Sequence, residues 1–121
     1  MMAVIFKLCA ASASVTDLLG VSPTRLFPFG EAPPNVAKPY AVWQVIGGSP
    51  INVIDGPPNA DRTRIQVDIY GETGESVAAV AAAIRSVIAR RAYVTGFNVD
   101  GRDPDTKSYR KSFDVDWIVD L

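Results

Sequence analysis

At 121 residues, 48% of them hydrophobic and 21% charged, the chain can bury one sizeable core and has the composition of an ordinary globular protein. A formal net charge of -1, with twelve Lys and Arg spread along the chain, excludes a strongly basic nucleic-acid surface. A lone cysteine, Cys9, excludes an internal disulfide framework, and the absence of histidine removes the commonest general base and transition-metal ligand.

The opening stretch, MMAVIFKLCAASAS, resembles a secretory leader in having small residues after an apolar run. No positive charge precedes that run and Lys7 interrupts it, so no processing is expected. No stretch reaches the length of a membrane span, and a soluble, intracellular chain with no membrane partner is expected. Ile5, Leu8 and Cys9, then Val15, Leu18 and Leu19, have helical spacing. Ser12 and Ser14 interrupt the pattern, with Ser14 expected to cap a second short helix that Gly20 ends. Cys9 reads as a small buried hydrophobe, because a reactive thiol needs a cationic, accessible setting.

The next segment, TRLFPFGEAPPNVAKP, holds four prolines, so a short edge strand over Arg25–Phe27 gives way to an extended connection. Residues 40–46, YAVWQVI, are rich in aromatic and branched side chains and predict a strand. The connection that follows, GGSPINVIDGPPNADR, is far longer than a hairpin needs. Gly47-Gly48 is expected as a bulge or turn, and Ile51, Val53, Ile54 and Asp55 are candidates for a protruding assembly arm.

In RIQVDIYGET, residues 64–73, Ile65, Val67 and Ile69 point to one side of a strand, while Arg64, Gln66, Asp68 and Tyr70 point to the other. Thr73 then caps a helix over residues 74–91, whose Val77, Val80, Ala81, Ile84, Val87 and Ile88 share a face. Residues 93–99 predict a strand with a bulge at Gly96. In the last strand, from Tyr109, the residues Phe113, Val115 and Trp117 share one side, and Arg110, Asp114 and Asp116 the other. The expected fold is a single α+β domain, residues 1–121, in the order α-β-β-β-α-β-β. Its two layers are a largely antiparallel or mixed sheet of four to five strands and two helices.

Little chemistry is legible. No phosphate-binding or dinucleotide motif occurs. Asn98, Asp100, Asp103 and Asp105 surround Gly101, but their spacing is not that of a calcium loop, and a hairpin tip is the better reading. Asp114 and Asp116 sit on a strand with no evident pocket, so they are not expected to be catalytic carboxylates. No enzyme activity, cofactor or metal is expected.

Three stretches carry a resemblance: PYAVWQVI, then DGPPNADRTRIQVDIYGETGESVAAVAAAIRSVI, then GRDPDTKSYRKSFDVDWIV. With Arg25–Pro28, Pro39-Tyr40 and the Asp103–Arg110 segment they resemble, in the right order over nearly the whole chain, the phage tail completion or tail terminator family. The resemblance implies a non-enzymatic virion protein, assembled in the host cytoplasm and placed at the head-proximal end of the tail. It implies a six-fold homo-oligomeric ring that ends growth of the tail tube protein, docks the head-tail connector and lets DNA pass without sequence-specific binding. On this reading Arg62, Arg64, Asp68, Arg110, Asp114 and Asp116 face a neighbouring subunit or the channel, and near-balanced charge favours the neighbour; if Arg64 and Asp68 meet across subunits, Asp68→Arg would partly rescue Arg64→Glu. The alternative is a small-molecule-binding α+β regulatory domain, which needs a concave, largely apolar pocket.

Overall fold

The computed structural model describes residues 2–51, 60–89, 92–102, 104 and 108–120. Two helices, α1 (Met2–Ala10) and α2 (Ala13–Leu19), precede the strands β1 (Leu26–Pro28), β2 (Tyr40–Ile51) and β3 (Ala60–Gly71). A third helix, α3 (Gly74–Ile88), leads to β4 (Ala92–Arg102) and β5 (Tyr109–Asp120). The strands form one mixed sheet in the order β1-β2-β3-β5-β4, so the expected α+β class holds. β1 runs parallel to β2, and every other neighbouring pair is antiparallel.

β3 is central because its alternation serves two environments at once. Ile65, Val67 and Ile69 are buried, and across the ladder Ile65 pairs with Val115 and Val67 with Phe113. The helices cover this face. In α3, Val77, Val80, Ala81, Ile84 and Ile88 are buried at three- and four-residue steps. Thr73 caps that helix as expected, its hydroxyl accepting from the Ser76 N–H at 3.0 Å. The turn into α3 is tight: a Cβ on Gly71 would come within 2.9 Å of Val77 Cγ1, closer than packed carbons tolerate.

The opening helical segment is two helices, since the chain breaks at Ala11–Ser12. Ser12, two residues before the expected Ser14, holds the N-cap position of α2, and its hydroxyl meets that of Ser14 at 2.9 Å without capping a backbone N–H. Ile5, Cys9, Val15 and Leu19 complete the core from this layer. Gly20 ends α2 at φ 81, a left-handed value that glycine adopts without penalty.

One side chain ties these parts together. Arg25 donates from Nε to the Pro39 carbonyl at 2.9 Å and from Nη2 to the Leu18 carbonyl at 3.1 Å. Its backbone N–H reaches Leu19 O, and its carbonyl accepts from Ala41, each at 2.9 Å. The last turn of α2, β1 and the start of β2 are thereby fixed to one residue.

The expected long connection is partly strand. β2 continues to Ile51 through a register shift between Val45 and Gly47, which makes the Gly47 region a bulge and not a turn. β3 starts at Ala60; Val53, Ile54 and Asp55 lie outside the described residues. β4 carries two shifts, Val94/Gly96 and Phe97/Val99, the first at the expected bulge.

Trp117 is 2% exposed in the core, so Trp117→Ala is expected to cost about 3–5 kcal/mol in urea or thermal unfolding. Burial pushes the Cys9 thiol up from its ordinary 9.0 to about 12. Below pH 9 both folded and unfolded thiols keep their proton. Between about 9 and 12 only the unfolded thiol ionises, so the Cys9 contribution lowers stability as pH rises through that window, and Cys9→Ala removes that part of the slope. A thiol reagent at pH 8 is expected to label the native chain only after denaturant is added.

Candidate functional site

The face of the sheet opposite the helices is polar along β3 and β5. Arg64 and Asp116 stand directly opposite in the ladder. Their fork-to-carboxylate pair is bidentate, Nε to Oδ1 at 2.9 Å and Nη2 to Oδ2 at 3.3 Å. The Arg64 side chain is 49% exposed, and the hydrogen bond and charge of Asp116 hold its guanidinium pKa above the ordinary value. Exposure makes this a weak stabiliser that salt will screen.

The second pair is deeper. The Asp68 side chain is 7% exposed, and its Oδ1 accepts from Arg110 Nη2 at 3.1 Å and from Gln66 Nε2 at 3.2 Å. Gln66 also donates to the buried Ser112 hydroxyl at 3.0 Å. Burial alone pulls the Arg110 guanidinium down, but its hydrogen bond to Asp68 and the attraction of that carboxylate outweigh burial and leave it raised. Arg110 lies 5.8 Å above the Tyr70 ring, which stacks on Tyr40 at 5.1 Å with 20° between planes. Burial raises both tyrosine pKa values, and Tyr70 is pulled back in part by Arg110.

Beyond this stack the proline-rich segment faces the sheet across a cleft of about 530 Å³. Pro33, Pro34 and Val36 form one wall, and Tyr40, Tyr70 and Arg110 the other. Lys38 bridges the walls through a hydrogen bond to the Ser108 hydroxyl.

The structure therefore gathers Arg64, Asp68, Arg110, Asp114 and Asp116 on one face, and it supplies partners inside the chain for the charges expected to await a neighbour. Arg64 and Asp68 are not bonded to each other; each has its own partner on β5. The backbone of Arg62 continues that strand opposite Ile118. Of the acidic turn, Asp100 lies in β4 opposite Lys111, while Asp103 and Asp105 fall outside the described residues. Sequence reasoning missed Lys38, Tyr40 and Ser108 as members of one site. The available signal was a strand-end tyrosine after a proline-rich run, but only the register brings Tyr40 against Tyr70.

Comparison with known proteins shows what kind of protein carries this surface. The sequence matches the family described as Tail completion protein gp17 over residues 3–120. The chain belongs to that family. A chain of the solved "Virion of native gene transfer agent (GTA) particle" has the same fold at a TM-score of 0.63, with 15% identity, covering 97% of this chain and 92% of that one. Among curated proteins none matches. Membership in the tail completion family makes this a structural protein of a phage-type virion tail, and the polar face and its cleft are candidate assembly surfaces.

The two ion pairs differ in what their loss exposes. Arg110→Ala removes the guanidinium from a buried carboxylate and is expected to destabilise by about 1–3 kcal/mol, toward the lower end because Arg110 is 38% exposed. Arg64→Ala is expected to leave the unfolding midpoint unchanged at physiological salt. Urea titrations of the two variants side by side check the contrast.

Proposed function

We propose that this tail completion protein closes into a six-fold ring on the head-proximal end of the tail tube. There it ends polymerisation and offers the docking surface for the head-tail connector, with DNA passing through its channel. The match across residues 3–120 carries this reading. Geometry supports it in two ways. The outer side of β2 from Gln44 to Ile51 has no strand partner among the described residues, because β1 pairs only with Ala41–Trp43. Val45 and Ile46, at 44% and 43% exposure, place apolar surface beside that edge. A strand edge with neighbouring apolar contacts suits a head-to-tail contact, and such a contact gives a ring when its rotation closes.

The polar face serves the same reading. Four of its charges, Arg64 with Asp116 and Arg110 with Asp68, are paired inside the subunit, so the buried Asp68 carboxylate is compensated before any neighbour or channel lies against this face.

Tubes grown from purified tail tube protein supply the test. With this chain present at one ring per tube, growth is expected to stop, and a gold label on the chain is expected at one tube end only. Label along the tube length, or growth that continues unchanged, would overturn the reading.

A further inference from the structure

We draw no further inference here: the strongest candidate, the cleft of about 530 Å³ between the proline-rich segment and the Tyr40–Tyr70 stack, has its two cations, Lys38 and Arg110, bonded within the chain to Ser108 and Asp68, and nothing in the structure shows what covers it.

Discussion

Everything in this domain depends on the strict two-residue alternation of β3, held in register between β2 and β5. A shift of one residue along that strand would send Ile65, Val67 and Ile69 to the polar face and Arg64, Gln66 and Asp68 into the helical layer. Neither arrangement could be rescued by local adjustment, because α3 presents only apolar side chains to the sheet and the buried carboxylate needs Arg110. The hydrophobic face and the polar network therefore specify the same register from opposite sides. That agreement is what gives the sheet a single solution.

The same register creates the candidate site. Arg64 meets Asp116, and Arg110 reaches Asp68, only because β5 lies beside β3 in one alignment. At the far end of the ladder, Tyr40 falls opposite Tyr70, and their stack becomes one wall of the cleft. The proline-rich wall opposite is anchored near its end by Arg25, which binds the Pro39 carbonyl with one nitrogen and the end of α2 with another. The cleft is thus a product of both layers, although none of its lining residues belongs to a helix.

Much of this fold was legible in the sequence, for physical reasons that can be named. The alternation in RIQVDIY and in the last strand, and the three-and-four spacing of the long helix, are direct imprints of one-sided burial. Thr73 announced its cap, and Gly96 its bulge. What stayed hidden was pairing across long separations. Nothing local says that residues 26–28 run parallel to β2, or that Arg64 finds its counter-charge 52 residues away. Balanced charges on a predicted strand face look available to a neighbour until the register shows that they serve each other. The cleft was invisible for the same reason, since its members come from three separate stretches of chain.

The two register shifts in β4 have a consequence for the protein before it meets its tail. β4 is the outer strand of the sheet, and an unbroken outer strand would be a template for uncontrolled fibre growth. The shifts cut its ladder into runs of three, two and four residues, Ala92–Val94, Gly96–Phe97 and Val99–Arg102. Cross-β stacking needs about six or seven residues in register, so no run on this edge is long enough to seed it. Contacts between copies of the protein are thereby kept off this edge and left to other surfaces.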